Sequence, residues 1–372
     1  MSAAPAHEAE LYVGLMSGTS LDGVDAVLAE FSPARPPRLL NTQYLPYPDE
    51  LRAELLALHT PQPDELHRAA LAAQTLARLY AQAVGAALGD TPRGRVRAIG
   101  CHGQTLRHRP ADGYTLQVGN AALLAELTGI AVVADFRSRD IAAGGQGAPL
   151  VPAFHAHALA APDAHRVIAN IGGIANVTDL PPGGTVRGWD TGPGNLLMDA
   201  WIQRHQGARY DRDGGWAASG RVDAGLLDAL MRHPYLAAPP PKSAGREQFN
   251  LESLGAALAG LGQDLAPQDV QATLLEFTAA SLADAVRREC AGAQELYVCG
   301  GGAHNATLMR RLAARLPGAR VDSTTKLGID PDWMEALAFA WLARQTLHHA
   351  PGNLPSVTGA RGGRILGAIY PA

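Results

Sequence analysis

Short apolar runs rich in β-branched residues punctuate the chain at Leu11–Met16, Val24–Phe31, Val96–Cys101, Gly129–Phe136, His165–Ile171 and Glu295–Gly300. Longer Ala/Leu-rich segments with helical spacing lie between them, at Pro63–Leu88, Asp223–Arg232, Asp269–Cys290 and Asp332–His348. Strands that alternate with helices predict an α/β protein. The first two runs are joined too closely for a helical crossover, so they pair antiparallel and the sheets are mixed. Turn-forming residues predict loops at Ser32–Pro37, Pro181–Gly184, Ala238–Gly245 and Ala350–Pro355.

The segment "VGLMSGTSLDGVDAVL", Val13–Leu28, is echoed by "VIANIGGIANVTDL", Val167–Leu180. Each reads as strand, glycine-rich turn, strand. Two related halves predict a bilobed protein with a ligand in an inter-domain cleft. The Gly-rich Ala142–Leu150 marks the expected boundary, giving a first lobe over 1–141 and a second over 142–372, whose C-terminal tail is free to pack back on the first. A length of 372 residues suits two cores.

Composition narrows the partners. With 47% hydrophobic and 18% charged residues and a formal net charge of -4, there is no charge block to meet nucleic acid or a membrane surface. The start, with Glu8 and Glu10, does not read as a signal peptide, and no apolar run is long enough to span a bilayer. Three cysteines without CxxC spacing indicate neither a disulfide framework nor a zinc ribbon, and a reducing cytoplasm is the expected location. Lys242 and Lys326 are the only lysines, and neither lies in a Walker A loop. A nucleotide here needs another phosphate cradle.

"SGTSLDG" supplies more polar chemistry than a hairpin requires. Gly18, Thr19, Ser20 and Gly23 suit a concave turn that offers backbone N–H groups to a phosphate chain, and Asp22 or Asp25 suits Mg2+ through water; an ordinary polar hairpin is the alternative. Gly172 and Gly173 form a second such turn. Gly300, Gly301 and Gly302, followed by Asn305, suit either a nucleotide's sugar and base or tight packing of strand on helix. Asp190, at a strand end before a Gly-Pro-Gly turn, is placed for a general base or for a turn cap. Asp135, Arg137, Arg139 and Asp140 form either a polar wall for substrate or an ion-pair network. His102 and the nearby Gln104 are candidate substrate contacts; no histidine shows zinc-ligand spacing.

These motifs in this order, from "GLMSGTSLDGVD" through "CHGQT", "VVADFRSRDIAAGGQGAPLVP", "NIGGIANVT", "DTGPGN", "PPKSAGREQFN" and "CGGGAHN" to "EALAFAWLA", resemble the anhydro-N-acetylmuramic acid kinases of the sugar kinase, heat-shock-70 and actin superfamily. The resemblance implies a bilobed actin-like ATPase fold, ATP with Mg2+, and phosphorylation of 1,6-anhydro-N-acetylmuramic acid in cell-wall recycling, in a homodimer. It places ATP phosphates on Gly18–Asp25, including Leu21 and Val24, the base at Asp190 and a sugar contact at Glu335. Another sugar kinase or ATPase of the superfamily, or a nucleotide-gated interaction protein, stays open.

Overall fold

The computed structural model describes residues 9–18, 20–33, 35–61, 63–245 and 248–372, and the chain divides into two compact units. The first takes the chain up to Ala158 and again from Trp333 to Ala372, and the second is Leu159–Asp332. The division therefore falls after Ala158 and not at Ala142, and the C-terminal segment belongs to the first unit. The Gly-rich stretch is stitched inside that unit by Asp140. This fully buried carboxylate accepts from Gly147 N–H at 2.8 Å, Asn353 Nδ2 at 2.6 Å and Thr358 Oγ1 at 2.7 Å.

In the first unit the strands are β1 (Glu10–Met16), β2 (Gly23–Ser32), β3 (Arg35–Pro46), β4 (Val96–Cys101), a separate hairpin of β5 (Gln104–Arg109) with β6 (Tyr114–Val118), and β7 (Val132–Ala134). β1, β2 and β3 form an antiparallel meander, and β4 and β7 continue from β1 in parallel. After Glu10, every residue of β1 is buried, because helices cover both faces of the sheet. On one face Leu76, Tyr80 and Val84 of helix Glu65–Leu88 share a core with Val13, Leu15, Val24 and Leu28. On the other, helix Met334–Leu347 lies directly on the backbone of β1 and β4. A Cβ at Gly14 would strike the carbonyl of Ala336, and one at Gly100 the carbonyl of Phe339, so this close approach requires glycine at both.

The second unit contains β8 (Arg166–Ile171), β9 (Ile174–Leu180), β10 (Arg187–Pro193), β11 (Glu295–Cys299) and β12 (Arg320–Ser323), ordered β10-β9-β8-β11-β12. Again the first three form an antiparallel meander and the last two run parallel to β8. Helix Pro267–Glu289 is buried over most of its surface and joins Val167, Trp189, Leu296 and Leu308 in one core. β13 (Ala368–Tyr370) then closes the first sheet beyond β7. Apart from β13, the two sheets share one strand order, which is the repeat seen in the sequence and the predicted pair of related mixed-sheet domains. Among the described residues no helix is long and apolar enough to cross a membrane.

Candidate functional site

The turn between β1 and β2 carries the first glycine motif. Its opening is clamped from below. Ser17 Oγ donates to the Gly103 carbonyl at 2.9 Å and lies 2.7 Å from Tyr80 Oη. Gln104 Nε2 donates to the Gly18 carbonyl at 3.0 Å, while its Oε1 accepts from Tyr47 at 3.2 Å. Gln104 is fully buried with both ends of its amide engaged, so it holds the loop; the expectation of a sugar contact gives way to that role. Thr19 lies outside the described residues. Ser20 Oγ donates to the exposed Asp22 carboxylate at 2.8 Å. Leu21 is buried with φ of 56°, and Val24 is wholly in the core, so only their backbones are available to a ligand. Asp25 sits on β2, opposite Met16 and Tyr44.

The glycines of this turn differ in what the fold demands of them. At Gly23 a Cβ would meet the Leu45 carbonyl and the Tyr44 ring, whereas at Gly18 its nearest neighbour would be Ser20 Oγ at 3.7 Å. In the second unit Gly172, Gly173 and Gly301 likewise have ordinary van der Waals room. A Cβ at Gly302 would strike the Ile171 side chain, and Gly300 has φ of 75° with Asn170 pressed against it. Packing thus explains Gly23, Gly300 and Gly302. It does not explain Gly18, Gly172, Gly173 and Gly301, where a Cβ would make only ordinary contacts and glycine leaves the backbone open to approach.

Also in the first unit, His102 Nδ1 faces the Ser17 carbonyl at 3.2 Å and Nε2 faces Arg137, with Nη2 2.9 Å away. Burial, then the Arg137 charge, push the imidazole down to about 3, so it is neutral, with Nδ1–H donating to Ser17 and Nε2 accepting from Arg137. Arg137 also donates to the Gly147 carbonyl at 2.8 Å. Burial lowers it to about 10, against the opposing pull of Glu335 and Asp140. Glu335 opens helix Met334–Leu347, and burial raises its carboxyl although Arg137 counteracts this. Asp135 is exposed with φ of 58°, a left-handed conformation costing about 1 kcal/mol for a residue with a side chain. It lines a pocket with His102, Gly103, Asn120 and Ala121. Asp140 is the interior staple already described, not part of a polar wall.

In the second unit three motifs meet. The N–H groups of Gly194 and Asn195 donate to the carbonyls of Gly173 and Gly172 at 2.9 and 2.7 Å, so the "GPGN" turn braces the β8–β9 hairpin. Asn195 Nδ2 donates to the Ile171 carbonyl at 3.1 Å and also neighbours Gly301. Asn305 Oδ1 caps helix Ala306–Arg315 by accepting from Leu308 N–H at 2.9 Å, so its side chain has a structural task in place of the expected nucleotide contact.

Asp190 lies on β10 where the pairing with β9 slips, between Asp190 and Gly192; a bulge of this kind re-aims a side chain. The segment after Ala238 crosses it. Ala244 N–H donates to Asp190 Oδ2 at 2.9 Å, and Asp190 N–H donates to the Lys242 carbonyl at 3.2 Å. Lys242 Nζ sits 4.6 Å over the Tyr235 ring, and Tyr235 Oη donates to the Asp190 carbonyl at 2.9 Å. Burial raises the Asp190 carboxyl to about 6, with the Ala244 hydrogen bond and then Lys242 opposing. The carboxylate is therefore ionised near neutrality yet a better proton acceptor than an exposed aspartate. Lys242, Ala244, Tyr235 and Asn195 were not singled out from sequence as site residues. The signal for Lys242 was its rarity, as one of two lysines.

A repeated sheet, a glycine hairpin in each copy and a carboxylate of raised basicity at a bulge inside an edge strand, where the sequence suggests a strand end, fit one class, a two-unit α/β phosphotransferase. The model of the family "Anhydro-N-acetylmuramic acid kinase" matches residues 10–372. A protein of that name from Thiobacillus denitrificans is 76% identical over the full length of both chains. Another from Nitrosomonas europaea is 58% identical, covering 97% of this chain and 99% of its own, and one from Chromobacterium violaceum is 54% identical over 97% and 99%. The chain belongs to the anhydro-N-acetylmuramic acid kinase family and is an enzyme of that class.

Proposed function

We propose that the chain uses ATP to convert 1,6-anhydro-N-acetylmuramic acid into N-acetylmuramic acid 6-phosphate, in the recycling of cell-wall peptidoglycan. The observation that carries this reading is Asp190, a carboxylate at the β10 bulge raised to about 6 and held at one oxygen by a backbone N–H. In this substrate O6 is tied to C1, so no free hydroxyl waits at that position. Water attacks C1 instead, and Asp190 takes its proton through Oδ1 while Ala244 keeps Oδ2 in place. The C1–O6 bond breaks, its electron pair passes to O6, O6 bonds to the γ-phosphorus, and ADP leaves. Positioning and charge stabilisation supply most of the acceleration in phosphoryl transfer.

Phosphate binding is assigned to the backbone of Gly18–Asp25 in the first unit and of Gly172–Gly173 in the second, with the adenosine against Gly301 and its flanking glycines. The room above Gly18, Gly172, Gly173 and Gly301 supports that assignment. Asp22 is exposed and oriented by Ser20, which fits a Mg2+ held through water; the ion would offset phosphate charge. Arg137, Glu335, Asp135 and His102 form the sugar-side group. The chain is expected to act in the cytoplasm as a homodimer, and light scattering that returns a single 38.9 kDa chain would contradict the dimer. The functional reading is tested by incubating the protein with ATP and the anhydro sugar. Mass spectrometry and NMR should find an opened ring with phosphate on O6. ATP turnover without a sugar phosphate, or a phosphorylated sugar whose anhydro ring is intact, would overturn it.

A further inference from the structure

The "CHGQ" turn between β4 and β5 does its work on the glycine loop from behind. Ser17 and Gly18 open that loop, and both of their carbonyls are taken by side chains of this one turn, through His102 Nδ1 at 3.2 Å and Gln104 Nε2 at 3.0 Å. A trans peptide holds its C=O and N–H on opposite sides. Tying the Ser17 carbonyl to the buried His102 therefore turns the Gly18 N–H away from His102, at a residue where a side chain would meet nothing closer than Ser20 Oγ at 3.7 Å. The hydrogen bonds are directional throughout. Ser17 Oγ gives its single proton to the Gly103 carbonyl and so must accept from Tyr80, and Tyr47 donates to Gln104 Oε1, which fixes the amide with Nε2 toward Gly18.

We infer that Gln104 and His102 are positioning residues for the nucleotide phosphates, acting through the Gly18 and Ser17 carbonyls, and that Gln104 makes no contact with the sugar. The inference rests on the functional reading above and adds a division of labour within one short turn. Gln104 serves the phosphate loop alone. His102 serves it too, and through Nε2 it also fixes the Arg137 guanidinium, whose charge faces Glu335 on the sugar side.

Steady-state kinetics of Gln104→Met, with ATP and anhydro sugar varied in turn, separates the alternatives. Methionine keeps the volume and loses both hydrogen bonds. The KM for ATP should rise about tenfold, the effect of one or two lost hydrogen bonds, while the KM for the sugar stays within twofold. The stabilisation of the protein against heat by ADP should shrink in parallel. Tyr47→Phe removes the hydrogen bond that orients Gln104, together with a long one to Tyr80 at 3.4 Å, leaves the Gln104–Gly18 bond in place, and should raise the ATP KM less, in the same direction, which keeps the test decisive if Gln104→Met does not fold. A raised sugar KM with unchanged ATP KM, or no change in either for a folded variant, overturns the inference while the wild type still makes the sugar phosphate. A wild-type protein that makes none overturns the functional reading itself.

Discussion

The two sheets have the same order of strands and differ at their turns and edges. In the first, the hairpin turn between β1 and β2 is long and its carbonyls are held by side chains from another strand connection. In the second, β8 and β9 are joined by Gly172 and Gly173 alone, and backbone N–H groups from the "GPGN" turn hold their carbonyls. The edges differ more. β3 is a twelve-residue strand with exposed positions along its length and register shifts against β2 away from its glycine turn, whereas β10 is seven residues long and mostly buried, with its register shift at Asp190. A duplicated scaffold thus supplies a glycine turn twice, while the candidate base, Asp190, occurs at the short, mostly buried edge strand of the second copy.

The sharpest way to break that comparison is to remove the base. Asp190→Asn keeps the shape and the Ala244 hydrogen-bond acceptor, and turnover should fall by about 10²- to 10⁴-fold, with ATP affinity measured by calorimetry unchanged. Near-normal turnover would leave the carboxylate at the β10 bulge without a catalytic purpose. The next test sets two glycines of one turn against each other. Gly18→Val should weaken ATP binding at least about tenfold, equivalent to some 1.4 kcal/mol, with little change in melting temperature. Gly23→Ala should do the reverse, destabilising the fold by about 1–3 kcal/mol through overpacking against Leu45 and Tyr44.

The acid limb of the rate profile gives a smaller signal. The Asp190 carboxyl is raised to about 6, so the base is present above that pH and is lost as protons add below it. The rate should drop tenfold per pH unit on the acid side. Lys242 opposes the rise in the Asp190 carboxyl, so Lys242→Met should move the limb upward, by less than about one unit for a partly exposed charge. A shift downward would show that Lys242 does not act on Asp190 electrostatically.

Buried periodicity made much of this legible in the sequence. Leu11–Met16 and Val24–Phe31 match β1 and β2 nearly to the residue because both strands are covered on two faces. β3 escapes that reading: the run "RPPRLLNTQYLP" is an exposed edge with three prolines and no buried alternation, and the loop expected over Ser32–Pro37 gives way to strand from Arg35. β13, three exposed residues, carries no pattern at all, yet its pairing with β7 places the C-terminal segment in the first unit. At the site, residue type and turn context pointed to Asp190 and to the glycine loops. The sequence did not separate glycines required by packing from those leaving room, nor did it show that Gln104 and Asp140 are buried fasteners, because both facts depend on partners far away in the chain.

The claim that water attacks C1 while O6 takes the phosphoryl group is tested most directly by running the wild-type reaction in ¹⁸O-labelled water and locating the isotope in the product by mass spectrometry. The account predicts label on C1 of the sugar phosphate and none in the phosphate group, in a product shown not to exchange its C1 oxygen. Label in the phosphate, or an unlabelled C1, would contradict it.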